Sequence, residues 1–160
     1  MTPGINVAKQ AKIAFQVHEY THDPDAESYG LEASDKLGIA PERVFKTLVV
    51  SLDGKALAVG VVPVAAMLST KSMARAAGAK KAEMADKAEV ARSTGYVLGG
   101  VSPLGQKKRL KTVIDASAQN FPTIYVSAGR RGLEIELAPQ DLCKLTGGLF
   151  ADIAQQVYKL

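Results

Sequence analysis

Asp53-Gly54 sits between two runs of β-branched and small apolar residues, and no other dipeptide restricts the fold as much. Asp-Gly tolerates positive φ at both central positions of a tight turn, the geometry whose twist suits two antiparallel strands. The spacing therefore predicts a hairpin, with residues 44–50 as one strand and 56–62 as its return.

The segments around this hairpin read as a mixture. Thr2-Pro3 is a helix start with Pro at the first helical position, and the apolar spacing carries that helix to about residue 15. Residues 16–21 read as extended, and His22-Asp23-Pro24-Asp25 as a turn. A short helix over 30–37 stops at Gly38. Ser69 is a candidate N-cap for a helix ending at Gly78. Asp86 and Glu89 make an aspartate version of the capping box for another, ending near Gly95. Strands are predicted at 96–98, 111–115, 123–127 and 133–137, the last two pairing across 128–132. Helices are predicted at 139–145 and 150–157. Strands in hairpin-like pairs with helices between them point to α+β rather than a doubly wound parallel sheet. The 160 residues, 47% of them apolar, suit one domain spanning 1–160, with no repeat and no linker.

A single cysteine, Cys143, fits a reducing cytosol. The longest apolar stretch, residues 57–68, contains Gly60 and Pro63 and falls short of the ~20 residues of a membrane span. The N-terminus lacks a basic region followed by an apolar run. The expectation is a cytoplasmic protein with no membrane partner. The net charge of +4 is uneven, −4 over residues 1–42 and +8 over 43–160. Lys107-Lys108-Arg109 and Arg130-Arg131 hold part of the excess. Such clusters neutralise phosphates in some proteins and form a solvated face in others, and charge alone leaves both open.

The catalytic repertoire is sparse. Only His18 and His22 offer imidazole, and with one cysteine no spacing matches a zinc site, so neither a metal nor a cofactor is expected. Residues 100–105 read G-x-S-x-x-G, one position too long for a nucleophile elbow. Gly129-Arg130-Arg131-Gly132 matches a KH-type GXXG but lies between strands instead of helices. Cys143 falls on an amphipathic helix and reads as core. What remains is Lys46, the odd residue of an apolar strand. Facing inward, it would be costly unless it met an anion, whereas facing outward it would protect a sheet edge. Gly99-Gly100 permits close backbone approach to a ligand, or is a plain turn. His18, Tyr20 and His22 alternate as a half-exposed polar stripe.

Several segments, taken in order, carry a resemblance: Val44-Phe45-Lys46-Thr47-Leu48, Ala79-Lys80-Lys81, Arg92-Ser93-Thr94-Gly95-Tyr96, residues 99–110, Thr123-Ile124-Tyr125-Val126-Ser127 and residues 132–137. Together they resemble the YbaK family of aminoacyl-tRNA deacylases, more closely its Cys-tRNA(Pro) deacylase branch. The resemblance implies a curved, mixed, barrel-like sheet flanked by helices, with a pocket for the aminoacylated 3′ end of tRNA. It implies removal of cysteine wrongly attached to tRNA(Pro), without a metal. The substrate's own thiol would attack the ester and leave a thiolactone and free tRNA. The family's essential lysine falls on Lys46, and its pocket residues on Tyr20, Gly99 and Ser127, with Tyr29 and Glu134 where Phe and Asp are expected. In this reading the amides around Gly99 and Gly100 bind the carbonyl oxygen and Ser127 orients the amino group or thiol. Thr47 and Ser102 complete the substrate contacts. Lys107, Lys108, Arg109 and Arg131 are candidates for the tRNA backbone, and prolyl-tRNA synthetase is a candidate partner. Two alternatives stay open at this point: an Ala-tRNA(Pro)-type deacylase with a positioned water, and a non-catalytic RNA- or protein-binding module.

Overall fold

Asp53 and Gly54 take φ of 53° and 67° in the computed structural model, and Lys55 N closes the turn on Leu52 O at 2.9 Å. The structure describes residues 1–26 and 29–155, apart from the side chain of Tyr29. Two positive φ values in succession are the signature of the expected primed turn. The Asp53 carboxylate also accepts the amides of Lys80 and Lys81, the latter at 2.8 Å, which ties the turn to the next strand pair.

In chain order the elements are α1 (Pro3–Ala11), β1 (Phe15–Glu19), α2 (Tyr29–Leu37), β2 (Phe45–Leu52), β3 (Ala56–Pro63), β4 (Met67–Leu68), α3 (Thr70–Ala77) and β5 (Ala82–Met84). They continue as α4 (Lys87–Thr94), β6 (Lys111–Asp115), β7 (Ile124–Arg130), β8 (Leu133–Leu137), α5 (Pro139–Thr146), β9 (Leu149–Ala151) and β10 (Ala154–Gln155). A five-stranded sheet runs β5-β2-β3-β6-β9, and a three-stranded one runs β1-β8-β7. β2 is antiparallel to β3, while β6 lies parallel to β3 and β9 parallel to β6. Parallel neighbours need long crossovers, and α3 and α4 supply the one between β3 and β6. The fold is mixed α+β, as the strand pattern predicts.

The barrel-like sheet is not found. The two sheets stay open and meet through one parallel bridge, Val44 to Tyr125, and no ring closes among the described residues. The reason lies just upstream. Pro41–Arg43 forms a 3₁₀ turn, so the residues that would lengthen the ladder are not extended, and Pro41 has no N–H to give.

Alternation along β2 splits the core. Phe45 and Val49 join Val59, Val61, Ile124, Val126 and Ile135 between the sheets, under α1 and α5. Val50 and Leu52 face the other way, with Ala58, Val62 and Val113, onto Met73, Ala74 and Ala77 of α3. That two-residue period is the strand's own. α3 carries its expected caps: Ser69 Oγ accepts from Ser72 N at 3.2 Å, and Gly78 is left-handed at φ 76°.

Four expectations need correction. α1 ends at Ala11, where Lys12 turns left-handed at φ 58°, and Phe15 already starts a strand. Asp86 is the N-cap of α4 but makes no side-chain cap bond. Residues 96–98 form no strand, because Gly100 N turns back onto Val97 O at 2.9 Å. Residues 150–155 contribute to β9 and form β10 instead of a helix; residues 156–157 lie outside the described residues. The cause is the buried Asp115 carboxylate, whose Oδ1 accepts Ile153 N at 3.0 Å and Ala154 N at 2.9 Å, amides that a helix would have used.

The start of α1 is wedged between β7 and the loop that carries Gly105. Thr2 donates its hydroxyl to Ala128 O and accepts from Ile5 N at 3.3 Å. Gly105, at φ 69°, lies so close to Pro3 that a Cβ would sit 2.5 Å from the Pro3 carbonyl carbon.

Candidate active site

A cavity of about 290 Å³ opens where β2 passes the β7–β8 hairpin. Its polar lining is Tyr20, Lys46, Thr47, the Gly99 backbone, Ser127 and Glu134, and its apolar lining includes Phe45, Leu48, Leu98 and Val101. The structure thus brings together six of the nine residues assigned to catalysis or substrate binding. Tyr29 opens α2, and its side chain lies outside the described residues.

Four of the six are held for an identifiable reason. Ser127 and Glu134 are cross-strand partners of β7 and β8, so their side chains share one face. A bulge follows immediately after Ser127, where the register shifts toward Arg130, and Gly129 N donates to Ser127 Oγ at 3.1 Å. Tyr20 extends β1, its amide bonded to Gly132 O at 3.0 Å. The Leu98–Gly99 turn docks on the bulge through Gly100, where a Cβ would stand 2.8 Å from Arg130 Cα. A close backbone approach of this kind admits glycine alone. The Gly99 amide itself has no partner among the described residues.

Gly100 and Ser102 do not serve as expected. The Gly100 amide is committed to Val97 O, which leaves the Gly99 amide as the available donor of the pair. Ser102 is fully buried, and its Oγ accepts Leu104 N at 3.2 Å. Both residues shape the loop from below and do not line the cavity.

The electrostatics are unusual for so small a space. Lys46 is half-buried, has no carboxylate within 4.0 Å among the described residues, and is lowered below the ordinary lysine pKa by burial. Glu134, only 7% exposed, is pushed up to about 8 by burial, so at neutral pH it is chiefly a neutral acid with an O–H able to donate. Tyr20 is pushed to about 12 by burial first, then by the neighbouring Glu134 and Glu32 carboxyls. Burial also acts on Glu32, yet bonds from His22 and Asp23 N and the charges of His22 and Lys36 outweigh it and keep Glu32 below the ordinary range. The two carboxyls flanking Tyr20 are therefore set apart, one neutral and one charged. Thr47 Oγ1 is buried without a partner among the described residues.

The other candidates separate. His18 Nε2 lies 2.9 Å from Glu136, in a network with Thr123 and Arg43 outside the cavity. His22 Nδ1 lies 2.7 Å from Glu32. Arg131 donates to Leu98 O at 3.1 Å and so supports the pocket's rim. Lys107, Lys108 and Arg109 are exposed beyond the loop, their segment pinned by Lys107 N to Thr94 O and Lys108 N to Ser93 O, each 2.9 Å. Cys143 packs against the core between the sheets, and burial raises its thiol pKa. Sequence reasoning missed the apolar lining. The available signal is a large apolar residue, Leu98, directly before the twin glycines.

The α+β scaffold gathers a half-buried cation, an unpaired backbone amide, a hydroxyl and a neutral carboxyl around one small cavity, a donor-rich lining able to hold a small polar group. The chain belongs to the aminoacyl-tRNA editing domain family, whose sequence profile matches residues 23–145. It is 39% identical over 155 residues to EbsC of Enterococcus faecalis, which carries the provisional name Cys-tRNA(Pro)/Cys-tRNA(Cys) deacylase; the match spans 95% of this chain and 92% of that one. It is 29% identical over 115 residues to the uncharacterized protein YwhH of Bacillus subtilis, covering 72% and 73% of the two chains. A crystal structure of a hypothetical protein superposes with a TM-score of 0.85 at 25% identity, over 96% of this chain and 99% of that one. A structure described as a trans-editing enzyme for prolyl-tRNA synthetase superposes at 0.83 with 22% identity, over 96% and 95%, and establishes the shared fold.

Proposed function

We propose that this chain is an aminoacyl-tRNA deacylase that removes cysteine from mischarged Cys-tRNA(Pro), with the cysteinyl thiol as the nucleophile. One observation carries the choice of nucleophile. Among the described residues lining the cavity there is no histidine or cysteine, and Ser127 Oγ accepts an amide instead of facing a base. Tyr20, pushed to about 12, makes a poor proton acceptor near pH 7. These features support a nucleophile carried by the cargo over one supplied by the protein.

The cysteine thiol, pKa ~8.5, supplies a few per cent thiolate near neutrality and is strongly nucleophilic. Its sulfur adds to the ester carbonyl carbon, the C–S bond forms, and the bond to the ribose oxygen breaks. The ribose hydroxyl leaves with the proton that the thiol gave up. The products are a thiolactone and uncharged tRNA, with no water consumed in that step. Effective molarities of ~10⁵–10⁸ M for well-oriented intramolecular attack mean that positioning alone can lower the barrier by ~7–11 kcal/mol.

The pocket residues take these roles. Lys46 is a fixed cation for the phosphate and oxygen-rich 3′ end. The Gly99 amide meets charge developing on the carbonyl oxygen, a contact whose loss typically costs ~10²–10³ in rate. Ser127 and the neutral Glu134 orient the α-amino group, while Tyr20 and Thr47 wall the site. A cavity of about 290 Å³ suits a small aminoacyl ester and reads little of the tRNA body. Prolyl-tRNA synthetase is accordingly proposed as the partner that supplies tRNA identity, with the reaction in the cytoplasm. Among the described residues no helix is long and apolar enough to cross a membrane.

The decisive assay is release of labelled cysteine from Cys-tRNA(Pro) by pure protein against buffer, beside the same tRNA charged with serine. Serine, whose neutral hydroxyl is a weak nucleophile, should turn over far more slowly. Equal rates would reject the thiol mechanism in favour of an activated water.

A further inference from the structure

A second cavity, about 230 Å³, lies at the far end of the same loop. The first pocket uses the loop's beginning, Gly99 and Val101; the second uses its end, Pro103, Gly105 and Gln106, closed by Leu145 and Thr146 of α5. Its charged lining is Lys108 and Arg109, and no carboxylate contributes.

Four other cations of the chain are neutralised by acids. Lys36 pairs with Glu32, Arg43 with Glu136, Lys81 with Glu83 and Arg130 with Glu19. Lys108 and Arg109 have no such partner within 4.0 Å among the described residues. Their placement is nonetheless fixed. The Lys108 backbone is bonded to Ser93 O at the end of α4. The Arg109 guanidinium lies over Gly147, where a Cβ would meet Nη2 at 2.4 Å. Gly147 caps the C-terminus of α5, the negative end of that helix's dipole. Arg109 is thus oriented by a helix end, which leaves its charge unneutralised by any acid.

We infer that this second cavity is a phosphodiester site for the substrate RNA, upstream of the ester held in the first pocket. The inference rests on the deacylase reading for its substrate. From Gly99 to Gln106 the chain can span no more than ~25 Å, at ~3.3–3.6 Å per residue. At ~3.4 Å per stacked nucleotide, that distance corresponds to at most about seven nucleotides back from the 3′ end. One RNA strand can therefore occupy both cavities, with Lys108 and Arg109 on its backbone and no base read.

The test is equilibrium binding of uncharged tRNA(Pro), followed by filter retention between 50 and 300 mM NaCl. It involves no turnover, so it stands apart from the deacylase assay. Three proteins are compared: wild type, Lys108→Ala/Arg109→Ala, and Lys55→Ala/Lys71→Ala. The last removes the same charge from exposed lysines that line neither cavity. Two lost phosphate contacts should flatten the slope of log K against log[salt] by about 1.4–1.8 and weaken binding at least tenfold at 100 mM salt. The control pair should stay within twofold of wild type. Lys108→Glu, a single change at an exposed side chain, should weaken binding further at low salt and serves if the double variant does not fold. The inference is overturned if the Lys108/Arg109 variant binds like wild type, or if the control loses as much, which would reduce the effect to overall charge.

Discussion

Glu134 makes the folded protein sensitive to mild alkali in a way that can be measured. Its carboxyl titrates at about 8 in the native chain against an ordinary 4.5, because burial disfavours the charged form. Between those values the unfolded chain has released a proton that the native chain still holds, so stability falls as pH rises. Below about pH 4.5 both states are protonated and the penalty is absent. Between pH 5 and pH 8 the loss is on the order of 3 kcal/mol, at 1.36 kcal/mol per unit of pKa difference. Glu134→Gln keeps the hydrogen-bonding donor and removes the titration. Urea unfolding at pH 5, 6, 7 and 8 should show wild type losing stability across that series, while the difference between wild type and variant grows by about the same 3 kcal/mol. Glu32 and Glu136, both held below the ordinary range, act below about pH 4.5 and do not mask the effect. If the difference between wild type and Glu134→Gln is flat from pH 5 to 8, the carboxyl is not held neutral and the account of the pocket is wrong.

Lys46→Ala should lower kcat/KM on Cys-tRNA(Pro) by roughly 10- to 100-fold, the worth of a charge-assisted contact, while Cys143→Ala stays near wild type; the opposite pattern in a deacylation assay would overturn the site. Gly100→Ala forces a Cβ to 2.8 Å from Arg130 Cα, and should cost about 1–3 kcal/mol in urea unfolding with activity lost along with the turn. Arg131→Ala releases Leu98 O and should lower kcat a few-fold, about 1 kcal/mol for one lost bond, with the melting temperature of the protein little changed.

The parts of this fold legible in the sequence are those whose cause is local. Asp53-Gly54 specifies its turn because two positive φ values are needed there, and Ser69 and Gly78 bound α3 through bonds within a few residues. Lys46 was legible for a related reason: a lone cation in an apolar strand needs an explanation at any position. Misreadings fall where a distant residue decides. The strand expected at 96–98 is a turn because that segment must seat on Arg130, and the last expected helix gives way to Asp115, which is 38 residues from Ile153. Ser102 and Gly100 looked like ligand contacts because a glycine- and serine-rich run serves packing and binding with the same residues. The neutrality of Glu134 follows from its enclosure in the folded protein, which no spacing in the sequence reveals.

The wedge made by the first residues of α1 ties the amino terminus to chemistry performed about a hundred positions later. Thr2 holds the strand beside Ser127 from one side, and Pro3 abuts the loop that carries Gly99 from the other. A cut that removes Thr2 and Pro3 would therefore disturb the pocket while leaving every lining residue in place.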